Sequence, residues 1–570
     1  MAKSDLRIDV LGTSFSISAD EDQTYLESLL SYYRIKIENT RKKTGLQDPL
    51  KLALVTGFLL CDEVQKGKSA EDDEAERLAL DLISRIDAAL PAEEADTAFS
   101  RAAGPFDAAP GGAFPGAENA SPGGSTGGTG PSLPPVPCGP APADRRRYRP
   151  FFKLENTIKH YAWGSVQRIP RLLNRANAAA EPWAELWMGV HPAGPSRVVD
   201  GAQTRPLDAV IAEAPGFYLG ERVERTFGGL PFLFKLLAAE RPLSIQAHPD
   251  LAAARAGFER ESRAGIPLEN AARNYRDRNH KPELLCAMGD FRALAGFRER
   301  NDIIHLLGLF GGEEFTSDER GVKPSPLLKA AFENIKTALL GDDGLKDMLA
   351  LLLGMEKETR RDLGVYTLAQ APQLEEAWSE YREEWRAAAR IAELYPEDAG
   401  ILAPLYLNLI RLKSGEAIFL PPGMLHAYLE GFGVELQANS DNVLRGGLTS
   451  KHVDTEELLS ILRFAPYRPA ALQAAARSGA DNWYFYPLSC REFSLSITQC
   501  RNASVRVPVY PAIVLVTQGE ARLSVSGSTD DVVLSPGESA FVAPGEAYLS
   551  GAFTAFAAGP GEVLPFPALP

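Results

Sequence analysis

The first hundred residues change from one hydrophobic periodicity to another. Apolar and polar residues alternate from Leu6 to Ile17, with an interruption at Gly12, and this pattern predicts a β-hairpin. From about residue 20 the apolar residues recur every three or four positions, which predicts a helix to about residue 37, followed by helices over about 49–64 and 78–90. We therefore expect a small α+β unit over residues 1–98, whose long apolar stripe is typical of an association module.

The next segment lacks the composition of a folded domain. Residues 104–142 contain ten glycines and ten prolines in 39 positions. Such a stretch buries too little apolar area to offset its loss of conformational entropy on ordering. We expect a disordered, flexible tether over residues 99–147.

Beyond the tether, the pattern changes twice more. Residues 301–397 have helical periodicity throughout, whereas the last hundred residues consist of short β-like runs separated by glycine turns. The last hundred residues contain no histidine, so we expect no zinc site there.

Four short segments carry polar side chains at spacings typical of strands. In PLSIQAHPD (242–250), Ser244, Gln246 and His248 are two residues apart, so a strand places all three on one face. In NHKPELL (279–285), Lys281 and Glu283 share a face in the same way, with an intervening proline that indicates the start or edge of a strand.

The other two segments add a second histidine and further charged groups. In LPPGMLHAYLEG, a Pro-Gly turn leads into a strand that carries His426. The segment GVELQANSDNVLRGGLTSK offers Glu435, Arg445 and Lys451. Two imidazoles, a carboxylate and an amide suit a zinc ion that keeps an open position, although other divalent ions also accept these ligands.

Composition and charge narrow the classes of function. The chain has 570 residues, 45% of them apolar and 24% charged, with a formal charge of −15. No basic patch offsets this charge, so we expect no nucleic-acid partner, although a local cluster of Lys and Arg can still bind a small anion. The absence of a long apolar run, of a secretory signal and of paired cysteines predicts a cytoplasmic protein without a membrane partner.

The N-terminal unit resembles the ZapA family of cell-division proteins. The likeness covers about residues 6–90 and rests on LRIDVLGTSFSIS, the following helix and DPLKLALVTGFLLCDEVQKGK. Members of that family oligomerise through helices and bind the tubulin-like division protein FtsZ. The resemblance therefore implies self-association and FtsZ contact through residues 1–98, and a generic dimerisation arm is the alternative.

The remainder resembles type I mannose-6-phosphate isomerase from about Phe151 to near the C-terminus. The shared motifs are KHYAWGS (159–165), EPWAELWMGVHPAGPS (181–196), LPFLFKLL (230–237), PLSIQAHPD, GFERESRAGIPLENAARNYRDRNHKPELLCAM (257–288) and NSDNVLRGGLTSK (439–451). The resemblance implies a mainly β fold with two cupin-type barrels and a helical insertion. The implied ranges are 148–300 and 401–468 for the catalytic cupin domain, 301–400 for the insertion and 469–570 for the C-terminal cupin-like domain.

The resemblance also implies a site. One zinc ion per chain is expected on Gln246, His248, Glu283 and His426, with Arg445 as the essential arginine. The expected substrates are mannose 6-phosphate and fructose 6-phosphate. The implied phosphate-side groups are Lys235, Ser244 and Lys451.

The reaction moves a proton between C2 and C1 of the sugar through a cis-enediol. A fixed cation beside the developing oxyanion stabilises the transition state, and Arg445 suits this role because its charge is permanent. The base stays open among Lys281, Glu435 and a metal-bound hydroxide, and Glu435 can alternatively orient Arg445.

Two other functions compete with isomerisation. Two histidines and one carboxylate also hold iron in cupin oxygenases, but Gln246 as a fourth ligand and the Lys and Arg residues argue against that assignment. A cell-division scaffold that carries an inactive isomerase is the other alternative, and the retention of all four ligands together with Arg445 argues against it.

Overall fold

The computed structural model describes residues 4–10, 13–19, 36–37, 40–41, 56, 148–200, 203–312, 323–477 and 482–561. The chain divides into two compact units, residues 1–133 with 565–570 and residues 134–564. In the first unit, β1 (Ser4–Val10) and β2 (Thr13–Ala19) pair antiparallel, with Leu6 opposite Ile17. The predicted hairpin is thus confirmed. The tether predicted over 99–147 and most of the predicted N-terminal helices lie outside the described residues.

The second unit contains a large sheet, whose strands differ in length and surround one long strand. Its strands are β4 (Thr157–Lys159), β5 (Glu185–Gly189), β8 (Phe232–Ala239), β9 (Ile245–Ala247), β10 (Glu283–Ala287), β11 (Phe291–Phe297), β12 (Leu407–Leu412), β13 (Glu416–Leu420), β14 (His426–Ala438), β15 (Leu444–Gly447) and β16 (Leu472–Gln473). The central strand, β14, pairs with β8, β9, β10 and β11. It therefore gathers segments that are up to two hundred residues apart in sequence.

A second sheet contains the C-terminal strands together with three earlier ones. Its strands are β3 (Phe151–Glu155), β6 (Arg197–Asp200), β7 (Gln203–Pro206), β17 (Ala475–Ala476), β18 (Tyr484–Phe485), β19 (Ser494–Arg506), β20 (Ala512–Val525), β21 (Asp531–Leu534), β22 (Ser539–Val542) and β23 (Ala547–Gly559). The sheet thus extends beyond the range 469–570 expected for a C-terminal domain, because β3 pairs with β22. Successive side chains on a strand face opposite ways, so Phe152 packs in a core shared with the first sheet while Phe151 packs within the second.

Helices occupy the segment predicted to be helical and cover the sheets elsewhere. They are α1 (Arg168–Leu172), α2 (Leu207–Glu213), α3 (Pro215–Leu219), α4 (Glu221–Phe227), α5 (Leu251–Arg263), α6 (Arg300–Gly311), α7 (Pro326–Leu339), α8 (Gly344–Leu353), α9 (Lys357–Ala377), α10 (Arg382–Leu394), α11 (Ala403–Tyr406) and α12 (Thr455–Ile461), with 3₁₀ turns at Ser379–Tyr381 and Ala399–Leu402. The described chain is therefore mainly β with a helical segment between β11 and β12. None of the described helices is long and apolar enough to cross a membrane.

The helical segment packs directly behind the strands that carry the polar motifs. Its apolar residues, such as Phe310 and Trp385, belong to the same buried cluster as Ile245 on β9 and Leu444 on β15. This shared core ties the helices to the short strands at the end of the first sheet. The candidate site residues lie at that end of the sheet.

Candidate metal centre and active site

Three side chains from distant segments meet at the end of the first sheet. His248 follows β9, Glu283 begins β10 and His426 begins β14, and one ligand atom from each lies within 4.8 Å of the other two. The Nε2 atoms of His248 and His426 are each 3.4 Å from a Glu283 carboxylate oxygen. Ligand atoms bound about 2.0–2.1 Å from a tetrahedral zinc ion lie about 3.3 Å apart, so these spacings suit a zinc ion.

Strand pairing brings Gln246, the fourth predicted ligand, beside this cluster. It lies on β9 directly opposite His426 on β14, and its amide nitrogen is 3.4 Å from His426 Nε2. The two ends of an amide group can exchange places by rotation, so the oxygen can equally face the centre. All four residues predicted as metal ligands therefore lie together.

Backbone carbonyls orient both imidazole rings. His248 Nδ1 donates to the Asn442 carbonyl at 2.8 Å, and His426 Nδ1 donates to the Met424 carbonyl at 3.0 Å. A carbonyl can only accept, so each Nδ1 carries the proton and each Nε2 presents a lone pair to the centre.

Burial and charge also favour a bound cation. His248, Glu283 and His426 are only 2%, 1% and 1% exposed. His248 Nε2 and Glu283 Oε2 are buried and make no hydrogen bond with any described residue. Because buried polar atoms without partners are costly, a cation that accepts both lone pairs would remove this cost.

The protonation states match those that a metal ion requires. Burial, together with the nearby Lys281 ammonium group, lowers the pKa of His248 to about 4, so this imidazole is neutral. Burial alone would raise the pKa of Glu283, but the Lys281 ammonium group outweighs it and holds that pKa well below its ordinary value. A neutral imidazole and an ionised carboxylate are the forms that bind a divalent cation.

Glu435 and Lys235 form a second buried network beside the metal centre. The Lys235 ammonium lies 2.8 Å from Glu435 Oε2, 2.8 Å from Gln437 Oε1 and 3.5 Å from Glu185 Oε1. Burial opposes the charged form of Lys235, but Glu185 and Glu435 raise its pKa above the ordinary value. Gln437 faces Glu283 across the β10–β14 pair, so Glu435, two residues earlier, shares the face of the metal centre.

Lys235, one of the implied phosphate-side groups, lies among buried carboxylates. Lys235 was expected at the substrate phosphate, yet its charge is already compensated by buried carboxylates. Sequence alone could not show this, because Glu185 and Glu435 reach Lys235 only through the pairing of β5, β8 and β14. The arrangement favours a role in orienting Glu435.

Lys281 also makes a buried ion pair. Its ammonium group is 3.1 Å from Glu283 Oε1, and the side chain is 9% exposed. The predicted strand start after Lys281 is confirmed, since β10 begins at Glu283. Ser244, by contrast, is half-buried and precedes β9, so Ser244 and His248 flank a shorter strand than the alternating pattern predicted.

A cluster of cations lies next to the metal centre. Arg445, on β15, pairs in register with Gln246. Burial and the neighbouring Arg276 lower the pKa of Arg445, and burial, Arg445 and Arg276 lower that of Lys451. Among the described residues, these three side chains form no ion pair with a carboxylate. An anionic group bound between them would relieve their mutual repulsion.

Sequence reasoning missed Arg276 and Asn442. Both lie in motifs that were singled out, but neither is a metal ligand or a strand residue. The Asn442 side-chain oxygen accepts from the Arg276 amide at 2.7 Å, while its backbone carbonyl accepts from His248. Asn442 therefore connects His248 to the cation cluster. The only sign of Arg276 and Asn442 in the sequence was that both lie in long motifs.

Comparisons with known proteins agree with this geometry. A family model described as phosphomannose isomerase type I, catalytic domain, matches residues 151–300, and one described as cell division protein ZapA matches residues 6–90. The mannose-6-phosphate isomerases of Salmonella typhimurium and Escherichia coli are each 39% identical to this chain, over 69% of it and 95% of theirs. The human mannose-6-phosphate isomerase is 31% identical over 69% of this chain and 94% of its own.

Solved structures show the same likeness. A zinc-bound mannose 6-phosphate isomerase superimposes with a TM-score of 0.63 at 34% identity, covering 72% of this chain and 100% of that one. The Salmonella typhimurium enzyme bound to substrate (f6p) and zinc superimposes with the same TM-score at 35% identity and the same coverage.

Proposed function

Because this chain belongs to the type I phosphomannose isomerase family, we propose that it is a zinc-dependent enzyme that interconverts mannose 6-phosphate and fructose 6-phosphate. The observation that carries the proposal is the buried cluster of His248, Glu283 and His426, with Gln246 beside it and a cation cluster adjacent. A zinc ion held by these four residues would act as a Lewis acid toward the sugar carbonyl. Each chain would hold one such ion.

The phosphate group of the substrate would bind at the cation cluster. Lys451 and Arg276 offer positive charge without an ion-paired carboxylate among the described residues, and the Ser244 hydroxyl lies two residues before Gln246. Charge-assisted hydrogen bonds from these groups would hold a phosphate dianion and select phosphorylated sugars. This explains how a protein with a formal charge of −15 can bind a dianion.

The proton transfer between C2 and C1 would use Glu435. Its carboxylate lies on the face of the metal centre, and Lys235 holds one of its oxygens. Burial, Glu283 and Glu185 raise the pKa of Glu435, although Lys235 and Lys281 oppose them. A carboxylate with a raised pKa is a stronger base than an ordinary carboxylate, which favours the proton transfer that passage through a cis-enediol requires.

Lys281 and Arg445 would then stabilise charge rather than accept the proton. Lys281 already forms an ion pair with Glu283, and Arg445 keeps its charge at any accessible pH. A fixed guanidinium beside the sugar oxygens would favour the enediolate over the ground state.

Residues 1–98 would supply a separate association module. The ZapA match over residues 6–90 supports self-association and contact with FtsZ. The Pro- and Gly-rich tether over 99–147 would allow the enzyme to work independently of that module.

A coupled assay with mannose 6-phosphate tests the function directly. The zinc-loaded protein should form fructose 6-phosphate, a chelator should abolish turnover and added zinc should restore it, because the site without metal would lack its Lewis acid. His426→Ala should lose both zinc and turnover. The matched variant His305→Ala, at an exposed position on α6, should keep both.

Turnover that survives complete removal of metal would refute the zinc-dependent mechanism. Purification with iron, together with oxygen consumption, would instead support the oxygenase alternative.

A further inference from the structure

The segment that leaves α10 contacts the loops on both sides of the cation cluster. The Tyr395 hydroxyl donates to the Pro242 carbonyl at 2.9 Å, and Pro242 lies two residues before Ser244. Three residues after Tyr395, the Asp398 carboxylate accepts from the Leu448 amide at 2.8 Å, in the loop between Arg445 and Lys451. Two side chains from the helical segment therefore reach the two loops that carry the predicted phosphate contacts.

Both oxygens of the Asp398 carboxylate accept hydrogen bonds from backbone amides. Oδ1 accepts from the Gly400 amide at 2.8 Å, and Oδ2 accepts from Leu448. Burial raises the pKa of Asp398 although amide hydrogen bonds from Gly400, Leu448 and Thr449 oppose it. One half-buried side chain thus links the 3₁₀ turn Ala399–Leu402 to the loop after β15.

That loop has a backbone conformation that needs external support. Leu448 adopts φ 53°, a left-handed conformation that L residues with side chains seldom occupy. The β9–β15 register also shifts between Arg445 and Gly447, and a Cβ on Gly447 would lie 2.9 Å from Asp398 Oδ1. Such conformations persist only when surrounding contacts hold them.

Electrostatic repulsion acts against the same loop. Arg445 and Lys451 lie at its two ends. The repulsion between their charges, and between each of them and Arg276, falls when these side chains move apart. Without an attachment at its centre, the loop would relax into arrangements in which the cations no longer converge. Asp398 supplies that attachment through the Leu448 amide.

We propose that Tyr395 and Asp398 are positioning residues that hold the Ser244 loop and the Arg445–Lys451 loop in the geometry that binds the substrate phosphate. The helical segment is then part of the binding machinery through these two side chains, although neither touches the substrate. This inference rests on the proposed function, because it assigns the phosphate to the cation cluster.

Asp398→Asn tests the proposal with little change in volume. The amide keeps one acceptor but places N–H groups against the Leu448 or Gly400 amide. We expect KM for mannose 6-phosphate and the inhibition constant of inorganic phosphate to rise together, by about tenfold. kcat should change by less than about threefold, because Arg445 stays in place through the pairing of β15 with β9. Zinc content should be unchanged.

The neighbouring Glu397→Gln is the matched control. The Glu397 carboxylate is exposed and pairs with Lys357 Nζ at 3.2 Å, away from either loop, so its removal should leave KM and phosphate inhibition as they are. Tyr395→Phe removes only the hydroxyl that bonds to Pro242 and should raise KM by a few-fold. This second variant keeps the test decisive if Asp398→Asn does not fold.

A general loss of stability would give different results from a loss of positioning. If zinc content and kcat fall while the inhibition constant of phosphate stays constant, or if KM is unchanged in both variants, the proposal is wrong. Calorimetric titration of the zinc-loaded full chain with inorganic phosphate separates this outcome from failure of the proposed function. Weaker phosphate binding in Asp398→Asn than in wild type supports positioning even if mannose 6-phosphate is not turned over, whereas equal binding overturns it.

Discussion

At the residue scale, the orientation of the metal-site side chains depends on hydrogen-bond partners on the side away from the centre. The two histidines present Nε2 to the centre because each Nδ1–H donates a hydrogen bond to a backbone carbonyl. The sequence identified His248 and His426 from residue type and spacing, but their orientation depends on the carbonyls of Asn442 and Met424. Those carbonyls have no signature in the side-chain pattern, so only the structure shows them.

Arg445 and Arg276 should affect different kinetic constants. Arg445→Ala should keep zinc and reduce kcat by about a hundredfold or more, because a fixed cation at the developing charge acts in the transition state. Arg276→Ala should raise KM with kcat nearly constant, because a phosphate contact binds ground state and transition state alike. Steady-state kinetics with metal analysis measures both. Loss of zinc in Arg445→Ala would show that Arg445 is structural.

Glu435→Gln should stop proton transfer while leaving the metal centre intact. We expect turnover to fall by about a hundredfold or more, and exchange of the sugar C2 hydrogen with D₂O to fall in parallel. In wild type, the raised pKa of Glu435, caused by burial and by Glu283 and Glu185, predicts that kcat/KM declines as pH falls through that raised pKa, since protonated Glu435 cannot accept a proton. Exchange that persists in Glu435→Gln would point to Lys281 as the base.

At the scale of elements, β14 determines which residues meet. Its first residue, His426, faces Gln246 on β9, and its later residues Glu435 and Gln437 face Lys235 on β8 and Glu283 on β10. The change of partners from β11 to β10 and β8 occurs at Gly431, which has φ 145°. The hydrophobic pattern predicted the start of this strand after a Pro-Gly turn, but it did not reveal how many strands pair with it.

Gly431→Ala should be among the most destabilising single changes in this sheet. A Cβ at this position would lie 2.2 Å from the Phe291 ring, and the φ is unfavourable for alanine. We expect a loss of about 3 kcal/mol in the free energy of unfolding. Gly415→Ala, also at positive φ but with nothing within 4 Å of its Cβ, should cost about 1 kcal/mol. Denaturant unfolding measures both, and equal losses would mean that the contact with Phe291 is unimportant.

At the scale of the whole molecule, the chain combines two parts that resemble different protein families. Residues 6–90 match the ZapA family model, and the catalytic region matches relatives over nearly their whole length. The order of these parts along the chain was predicted from composition, because the Pro- and Gly-rich stretch interrupts both patterns. The distribution of strands between the two sheets was not, since β3, β6 and β7 join the C-terminal strands over hundreds of residues.

Deleting residues 1–147 should remove self-association and leave isomerase turnover. The remaining chain contains every residue of the proposed site, so we expect kcat and KM close to those of the full chain. The oligomeric state, measured by light scattering coupled to size-exclusion chromatography, should fall to that of the enzyme alone. An inactive but folded product would show that the N-terminal part contributes to the site, and an unchanged oligomeric state would refute its role in association.

The sequence by itself determined the chemical types and the local spacing of the site residues. A strand places alternate side chains on one face, so Glu435 and Gln437 on β14 can be placed on the same face from sequence position alone. Only the tertiary structure decided that Lys235 is neutralised by Glu185 and Glu435, that Arg276 joins Arg445, and that Asp398 holds Leu448. The physical reason is that these contacts arise from the pairing and packing of segments distant along the chain, where burial and Coulomb interactions depend on three-dimensional distance and not on spacing in the sequence.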